Sequence, residues 1–458
     1  MKKILAENGL TIAPQDYSLL TDLYQLTMAA CYVGEGIAEK RASFELFARR
    51  LPQDFGYLVA MGLAQALEYL EQFRFNDAQI AALQATEIFD NAPANFWSLL
   101  KETKFTGDVY AVPEGTVVFA NEPILRIEAP LWQAQLVETY LLNTINYQTL
   151  IATKAARIRD IAGETAQIIE FGTRRAFSPQ GAMWAARASL AAGFDGTSNV
   201  LAALKLGEKP RGTMAHALVM AINALSGRED DAFAAFHNYF PGAPLLVDTY
   251  DTLAAVTRLQ QQVAAGSIDV TGIRIDSGDL VELSQKIKWQ LPDIKIFASG
   301  DLDEWEIERL KQAGASLDGY GIGTKLVTGE PVNGVYKLVE IDGIPTMKQS
   351  KNKLTYPGRK QIFRSFNKHG KIESDRLCLT DEKAKNGERA LLELVMQQGK
   401  TIANAETLAT IRQRTANNLL SLTPEMRQIN KPDSIKPDIS DNLQALVDRL
   451  THKSLSIC

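Results

Sequence analysis

The sequence predicts an α/β protein whose central part is an irregular β/α barrel, preceded by an N-terminal α/β domain and followed by a C-terminal extension. Between residues 165 and 326, short apolar or β-branched runs alternate with helical stretches, as expected of parallel strands joined by helices. Six such runs occur, and that number favours a barrel over a two-layer fold. The runs also end alike, on polar or glycine residues, and the carboxyl ends of barrel strands form the active-site face.

Length and composition set the class of protein. The chain has 458 residues, of which 46% are apolar and 22% charged, with a net charge of −5, and this length suits two or three domains. The charge argues against a nucleic-acid binder, which carries a strongly basic domain. Three widely spaced cysteines form no CxxC pair, which favours free thiols in a reducing compartment. No apolar run suits a signal peptide or a membrane helix, so we expect a cytoplasmic protein.

The N-terminal domain mixes helical and strand patterns. SLLTDLYQLTMAACYVG has helical apolar spacing, with Ser18 or Thr21 as the expected N-cap and Gly34 as the end. RASFELFARR alternates like a strand, and GDVYAVPEGTVVFANEPILRIEAP predicts antiparallel strands separated by turns. After Leu131 a stretch without Gly or Pro predicts one long helix or two abutting helices.

The barrel strands are expected at QIIEFGT, GTMAHAL, PLLVDTY, GIRIDSG, IKIFASG and GYGIGT, with helices such as SPQGAMWAARASLAAG and DEWEIERLKQAG between them. Six polar strand ends directed at one face are hard to explain by packing alone. We expect three parts: an N-terminal α/β domain at 1–140, the barrel at 141–335, and a basic hairpin and helical region at 336–458 that packs on both.

Glycine-rich ends close the last two strands, at Ser299-Gly300 and at Gly321-Ile322-Gly323-Thr324. Late strands of a barrel often bind phosphate through backbone N–H groups, and glycine allows close approach of an anion. The alternative is that these are tight turns without a ligand.

Arg274 and Asp276 flank one buried position and leave the strand on the same face. Together they suit a phosphorylated sugar, with Arg for phosphate and Asp for hydroxyls or Mg²⁺, although a structural salt bridge is the alternative.

His216 is expected at a strand end beside Asp248, where an Asp–His pair would orient the ring for nucleophilic or acid–base chemistry; an isolated structural histidine is the alternative.

Two further groups suit anions. Phe171 with Arg174 and Arg175 offers an aromatic face beside two guanidinium groups, which suits a flat anionic ring, although a surface arginine pair beside a core Phe is common. A lysine-rich run forms either a solvated face or a basic patch for di- or triphosphate. Its members are Lys337, Lys348, Lys351, Lys353, Arg359, Lys360 and Arg364.

Eight ordered blocks resemble the nicotinate phosphoribosyltransferase family: TDLYQLTMA, EFGTRRAFSPQGA, GFDGTSNVLAA, GTMAHA, VDTYDTLA, RIDSGDL, FASGDLDE and GYGIGTKLV. The stretch VPEGTVVFANEPILRIEAP also looks like the related quinolinate and nicotinamide enzymes. The resemblance implies a type II phosphoribosyltransferase barrel and a homodimer with sites at the interface. It also implies a reaction of nicotinate with phosphoribosyl pyrophosphate, giving nicotinate mononucleotide and pyrophosphate, coupled to ATP hydrolysis and so ligase-type overall.

The resemblance also implies residue roles. His216 would be phosphorylated by ATP, with Asp248 orienting it. Arg274, Asp276 and the glycines of Gly321-Ile322-Gly323 would hold the phosphoribosyl group and Mg²⁺, with Asp279 as a second metal ligand. Further roles go to Phe171 (stacking on the pyridine), Tyr24 (stacking from the partner subunit) and Arg174 (meeting the carboxylate or the pyrophosphate).

Ser198 helps to choose the substrate. The nicotinamide-using relative carries Asp in the block that looks like FDGTSNV, where an Asp accepts from a carboxamide but repels a carboxylate. Ser198 therefore favours the acid. There are two rival hypotheses. The first is a quinolinate phosphoribosyltransferase, whose family is shorter and ATP-independent. The second is a catalytically inactive paralogue that binds nucleotide as a sensor or scaffold. The length and the lysine-rich run weigh against the first, and the presence of His216, Arg274 and Asp276 against the second.

Overall fold

The computed structural model describes residues 10–102, 104–350 and 353–455. The chain divides into two compact units. The first comprises the described residues within Met1–Leu150, Pro331–Thr407 and Asn417–Cys458, and the second comprises Ile151–Glu330 and Leu408–Ala416. The three-part division expected from the sequence stays a prediction.

The strands, in chain order, are β1 (Arg41–Ala48), β2 (Leu58–Val59), β3 (Asp108–Ala111), β4 (Val117–Val118), β5 (Pro123–Pro130), β6 (Gln167–Glu170), β7 (Gly196–Thr197), β8 (Leu245–Leu246), β9 (Gly272–Ile275), β10 (Lys295–Ser299), β11 (Gly319–Ile322), β12 (Gly334–Ile341), β13 (Ile344–Pro345), β14 (Gln349–Ser350), β15 (Lys353–Leu354), β16 (Lys360–Phe366), β17 (Ile372–Leu379), β18 (Arg389–Ala390), β19 (Glu393–Gln397), β20 (Lys400–Thr401) and β21 (Asp438–Ile439).

The α-helices are α1 (Leu23–Gly34), α2 (Leu63–Gln72), α3 (Asp77–Gln84), α4 (Ala94–Lys101), α5 (Leu131–Leu136), α6 (Glu138–Ala162), α7 (Pro179–Ala191), α8 (Val200–Lys205), α9 (His216–Ser226), α10 (Glu229–Tyr239), α11 (Thr252–Ala264), α12 (Leu280–Gln290), α13 (Glu304–Gln312), α14 (Thr324–Val327), α15 (Leu408–Ser421) and α16 (Asp441–Leu455); a 3₁₀ helix spans Pro14–Leu19. None of the helices in the described ranges is long and apolar enough to cross a membrane.

The first unit is built on a sheet of seven described strands in the order β13-β12-β1-β5-β3-β19-β20. β1 lies inside it, antiparallel to β12 and to β5, and is buried from Ala42 to Ala48. The strand prediction for RASFELFARR is therefore confirmed. Its alternation does not mark a solvent face, because both faces of the strand are covered. The stretch after Leu131 forms two abutting helices, α5 and α6.

The start of α1 differs from the sequence expectation. Its N-cap is Asp22, and neither Ser18 nor Thr21 takes that place. The Ser18 hydroxyl instead donates to the carbonyl of Arg74 at 2.6 Å and accepts from the Arg74 N–H at 2.8 Å. A hydroxyl with both partners elsewhere is not available to cap a helix.

The C-terminal extension is less helical than expected. β12 and β13 form the predicted hairpin. Beyond it, β16 and β17 pair antiparallel within a sheet of four described strands in the order β18-β16-β17-β21. The helical expectation, which begins after the hairpin-like stretch that ends at Arg364, is therefore wrong for residues 365–401 and holds for α15 and α16. KQIFRSF and IESDRLCL alternate apolar and polar residues with period two, which is a strand pattern.

The second unit contains a parallel sheet of six described strands in the order β7-β6-β11-β10-β9-β8. Helices α7 to α14 follow or join these strands. The strand expected at GTMAHAL is wrong, since His216 is the first residue of α9. The apolar residues after His216 continue with helical spacing through HALVMAINALS, which explains the difference. β7, which the sequence did not predict, is the sixth strand.

Candidate active site

Neighbouring strands of the second unit bring three predicted residues together at the carboxyl edge of the sheet. Ser299 on β10 lies opposite Gly321 on β11, and Phe171 follows β6, the other neighbour of β11. A Cβ atom on Gly321 would lie 2.4 Å from Cε2 of the Phe171 ring and 3.2 Å from Cβ of Ser299. Only glycine therefore leaves room for the ring across this strand end.

The Arg274 side chain connects the end of β9 to the segment before α9. Its Nη1 donates to Oγ1 of Thr213 at 2.8 Å and its Nη2 to the carbonyl of Met214 at 2.9 Å. The guanidinium carbon lies 5.8 Å from the centroid of the Phe171 ring. Burial lowers the pKa of Arg274, and the nearby carboxylate of Asp276 opposes that shift. Among the described residues Nε is buried without a hydrogen-bond partner, so its N–H can still donate to a ligand.

His216 lies beside the predicted Asp248. Its Nδ1 is 3.0 Å from Oγ1 of Thr249, and its Nε2 is 3.9 Å from Oδ1 of Asp248. The other oxygen of Asp248 accepts from the backbone N–H of Asp276 and from the hydroxyl of Ser277, both at 2.7 Å. In the described part of the chain, Oδ1 is buried with no hydrogen bond. A carboxylate held on one oxygen, with the other facing the imidazole, can stabilise a positively charged ring.

The loop after β10 depends on a second glycine. Gly300 has φ +95°, and a Cβ there would lie 2.4 Å from the carbonyl oxygen of Asp276. Asp301 follows with φ +46°. The hydroxyl of Ser299 donates to Oδ1 of Asp276 at 2.5 Å. Successive residues of positive φ and a side-chain hydrogen bond hold this loop against the end of β9.

The two carboxylates predicted to bind Mg²⁺ have different surroundings. Asp279 is the N-cap of α12, and its Oδ1 accepts from the N–H groups of Val281 and Glu282 at 3.0 and 3.1 Å. Asp276 is exposed and lies next to Asp248. The described residues contain no cluster of three His, Cys, Asp or Glu side chains suited to a metal. Mg²⁺ often takes one or two carboxylates together with substrate phosphates, so the exposed carboxylate of Asp276 fits that ion.

Arg174 and Ser198 lie at the same edge. Arg174 is exposed, and its charge disfavours the protonated form of Arg274, which places the two guanidinium groups near each other. Ser198 follows β7, and its backbone N–H donates to the carbonyl of Glu170 at 2.9 Å. The strand pairing of β6 and β7 therefore brings Ser198 beside the end of β6.

Three predicted residues remain. Gly323 and Thr324 begin α14, and a Cβ on Gly323 would be 3.5 Å from the carbonyl of Phe171, an ordinary contact. Tyr24 belongs to the first unit, on α1, where 47% of the residue is exposed. Partial burial raises the pKa of its phenol, and the charge of Glu138 raises it further.

Glu170 was not predicted as a site residue. It is fully buried at the end of β6, and its carboxylate accepts from the backbone N–H of Gly172 and from the Thr197 hydroxyl. Burial raises its pKa. Thr249 and Thr213, which contact His216 and Arg274, were also missed. Glu170 could have been identified from the sequence, because it is an acidic residue at the end of an apolar run. Thr213 and Thr249 could not, because a single threonine forms no recognisable pattern.

The lysine-rich run separates into two groups. Arg359, Lys360 and Arg364 form ion pairs within the first unit, and Lys360 and Arg364 are buried. Their partners are Glu128 and Glu340 for Arg359, Glu45 for Lys360 and Asp375 for Arg364. These three residues are structural, and the solvated face expected as the alternative does not describe them.

A second group of cations in the first unit surrounds Lys337. Burial lowers the pKa of Lys337, the carboxylate of Glu138 at 3.9 Å opposes that shift, and the positive charges of Arg49 and Lys348 add to it. Among the described residues, Nε of Arg49 is buried without a hydrogen bond. Lys351 and the side chain of Lys353 lie outside the described residues.

Comparison with known proteins assigns the family. Residues 19–146 match the nicotinate phosphoribosyltransferase (NAPRTase) N-terminal domain, residues 166–369 the nicotinate phosphoribosyltransferase (NAPRTase) family and residues 388–447 the nicotinate phosphoribosyltransferase C-terminal domain. The chain is 42% identical to nicotinate phosphoribosyltransferase of Bacillus subtilis, over 93% of each chain.

Two solved structures are similar to this chain. Human nicotinic acid phosphoribosyltransferase has a TM-score of 0.82 at 32% identity, covering 94% of this chain and 100% of that one. A nicotinate-nucleotide pyrophosphorylase from Pyrococcus furiosus, with a TM-score of 0.75 at 23% identity, covers 91% and 99% and supports the fold alone. The fold class predicted from the sequence, a type II phosphoribosyltransferase barrel with flanking N- and C-terminal parts, is confirmed. The chain belongs to the nicotinate phosphoribosyltransferase family.

Proposed function

We propose that this protein transfers the phosphoribosyl group of phosphoribosyl pyrophosphate to nicotinate, in NAD biosynthesis, and couples the transfer to ATP hydrolysis through phosphorylation of His216. One observation carries the proposal. The carboxyl edge of the second unit's sheet groups an aromatic ring, a buried guanidinium, a histidine–aspartate pair and glycine-rich loops, namely Phe171, Arg274, His216–Asp248 and the segments at Gly300 and Gly321. Such a set suits a flat ring beside a phosphorylated sugar.

The transfer needs no general base from the protein. The pyridine nitrogen attacks the anomeric carbon with its own lone pair, the bond from that carbon to the pyrophosphate oxygen breaks, and pyrophosphate leaves with the electrons. Negative charge grows on the leaving group, so the free N–H of Arg274 and the backbone of the glycine loops are placed to stabilise it. Mg²⁺ held by Asp276, with Asp279 as the second proposed ligand, would neutralise the leaving phosphates.

Nicotinate recognition is assigned to Phe171, Ser198 and Arg174. The ring of Phe171 offers the stacking face. Arg174 carries a positive charge near Arg274 for the carboxylate or for the pyrophosphate. Ser198 brings no negative charge, and this supports the acid over the amide as substrate.

The ATP step would transfer the terminal phosphoryl group to a ring nitrogen of His216 and release ADP; water would later hydrolyse the phosphohistidine to phosphate. The oriented Asp248 supports this role because it stabilises the positive charge that the ring carries while phosphorylated. Added phosphate charge would act on the adjacent Arg274-bound segment.

The Lys337 group of the first unit, with Arg49 and Lys348, is proposed to contact ATP or pyrophosphate, since it groups three positive charges around one carboxylate, that of Glu138, which lies 3.9 Å from Nζ of Lys337. We also propose a homodimer in which Tyr24 stacks on the pyridine bound by the partner subunit. The cytoplasm is the proposed compartment, supported by the free thiols of Cys31 and Cys378.

The test uses purified protein with nicotinate, phosphoribosyl pyrophosphate and Mg²⁺, with and without ATP. Nicotinate mononucleotide and pyrophosphate should form in equal amounts, faster with ATP, and chelation of Mg²⁺ should stop the reaction. His216→Ala should keep a slow ATP-independent rate and lose ATP stimulation, whereas His369→Ala, an exposed histidine in the first unit, should behave as wild type. Full ATP stimulation in His216→Ala would reject the phosphohistidine.

A further inference from the structure

A group of charges, with Arg157 and Glu304 buried at its centre, lies on the side of α6 that faces the two glycine-rich loops of the second unit. Lys154 and Arg157 on α6 are one helical turn apart and therefore share a face. Asp303 and Glu304 follow the Gly300 loop at the start of α13, and Lys325 follows the Gly321 loop in α14. The charges of all four neighbours act on the Lys154 ammonium.

Lys154 holds the loop that carries Gly321 to Thr324. Its Nζ donates to the carbonyl of Lys325 and, at 2.6 Å, to that of Thr328. Gly329 has φ +142°, and a Cβ there would lie 3.1 Å from this Nζ. The backbone is therefore folded closely around the ammonium, immediately behind the strand end proposed to bind phosphate.

Arg157 holds the loop that carries Ser299 and Gly300. Its Nε donates to Oε1 of Glu304 at 2.9 Å, and both side chains are almost completely buried. Asp303 links the two loops, because it caps α13 and its Oδ2 lies 3.6 Å from Nζ of Lys325. One face of α6 is thus bonded to the segments behind both loops.

We propose that Lys154 is a positioning residue for phosphoribosyl pyrophosphate: it fixes the Gly321–Thr324 loop so that the backbone N–H groups of that loop meet the substrate phosphate. The inference rests on the proposed function and deepens it. Lys154 does not touch substrate in this account, since its ammonium is occupied by carbonyls. Burial lowers its pKa, which agrees with an ammonium withdrawn from water.

The chain contains a matched control. Lys311 donates to the carbonyls of Ile161 at 2.6 Å and Ala162 at 3.4 Å, at the end of α6. Gly163, with φ +88°, lies beside it as Gly329 lies beside Lys154. Both lysines therefore bind carbonyls at a helix end, but Lys311 is not attached to a glycine-rich loop.

The test compares Lys154→Met with Lys311→Met in steady-state kinetics and thermal unfolding. In Lys154→Met the KM for phosphoribosyl pyrophosphate should rise about tenfold or more, because small displacements of binding groups are costly. The KM for nicotinate should change little, and Lys154→Arg should recover part of the loss. Lys311→Met should leave both KM values near wild type.

The possible outcomes distinguish failure of this inference from failure of the proposed function. Equal KM values for phosphoribosyl pyrophosphate in the two methionine variants would overturn the inference and leave the proposed function standing, whereas an inactive wild-type protein would reject the function itself. If Lys154→Met does not fold, Lys154→Gln, which keeps a donor, is measured in the same way and should also raise that KM. If neither folds, Lys154 serves folding and the inference is rejected.

Discussion

Arg274 shows how one side chain can serve two parts of the site. Two of its nitrogens bind the segment before His216, while its third has no hydrogen bond among the described residues and lies beside the Phe171 ring. In the proposed function, a sugar phosphate that engages this third nitrogen would act on a group already bonded to the histidine segment. This contact would then link sugar binding to the phosphorylation of His216.

Ser198 provides a prediction on substrate choice. Ser198→Asp should lower kcat/KM for nicotinate by at least about tenfold, because a carboxylate there repels the substrate carboxylate. The same variant should gain activity on nicotinamide. Ser198→Asn has the same size without the charge and should retain more activity on nicotinate than Ser198→Asp. Equal losses in the two variants would show that size, and not charge, determines the choice.

A buried triad in the first unit provides a prediction on stability. Arg364 binds Asp375 through two hydrogen bonds of 2.8 and 2.5 Å, and Glu122 lies 3.9 Å away. Burial first, and then the charge of Asp375, raise the pKa of Glu122 well above 4.5. A carboxyl whose pKa is raised in the folded state destabilises the fold as pH rises above its unfolded pKa.

Glu122→Gln should therefore melt at the same temperature as wild type or higher, and its advantage should grow as pH rises above about 4.5. Asp375→Asn should cost about 3 kcal/mol, because it leaves a buried guanidinium without its main partner. Thermal unfolding from pH 5 to pH 8 measures both. An advantage of Glu122→Gln that shrinks with rising pH would contradict the assignment.

At the scale of elements, the site depends on short loops after parallel strands. β9, β10 and β11 are four or five residues long, and their register sets which loop residues meet. The loops also need residues that can adopt unusual backbone conformations, such as Gly300, whose φ is +95°.

Gly300→Ala should disrupt this arrangement. The new Cβ would lie 2.4 Å from the Asp276 carbonyl, so the loop must move, and the KM for phosphoribosyl pyrophosphate should rise about tenfold or more. Gly266→Ala is the control, because Gly266 also has positive φ, +66°, but open space around it. Both variants should lose about 1–2 kcal/mol from the left-handed backbone. Similar kinetics in the two would contradict a specific role of the Gly300 loop.

The strands of the barrel could be predicted where their periodicity differs from that of helices. QIIEFGT, PLLVDTY, GIRIDSG, IKIFASG and GYGIGT each contain a strand. The strand prediction for GTMAHAL was wrong because the same apolar residues satisfy the spacing of α9. β7 was missed because its two residues, Gly196 and Thr197, form no apolar run. Strands β16 and β17 were missed although their alternation is visible.

Most candidate site residues could be recognised from the sequence, because they are polar residues at the ends of apolar, strand-like runs. Their partners could not, since pairing depends on register and loop shape. Asp279 is an example: the pattern RIDSGD does not show that, after the turn at Gly278 with φ +83°, Oδ1 of Asp279 caps α12. Arg359, Lys360 and Arg364 resembled a basic patch because their acidic partners are distant in sequence.

For the whole molecule, net charge says little about the ligands. The chain carries −5, yet the proposed substrates are strongly anionic. The fold, and not the net charge, determines where positively charged side chains are grouped. Some cations are neutralised in buried ion pairs, such as Lys360 with Glu45. Lys337 also lies near an acid, Glu138 at 3.9 Å, but the positive charges of Arg49 and Lys348 act on it as well. Several cations grouped in this way favour anion binding, because like charges brought together repel one another.

A competition assay tests the central claim most directly. Purified protein receives equal amounts of nicotinate, nicotinamide and quinolinate with limiting phosphoribosyl pyrophosphate, Mg²⁺ and ATP, and the products are identified by mass spectrometry with isotopically labelled nicotinate and quinolinate. The account predicts nicotinate mononucleotide formed from nicotinate as the dominant product, with quinolinate unconsumed. Mononucleotide derived from quinolinate, nicotinamide mononucleotide as the main product, or no mononucleotide at all would contradict it.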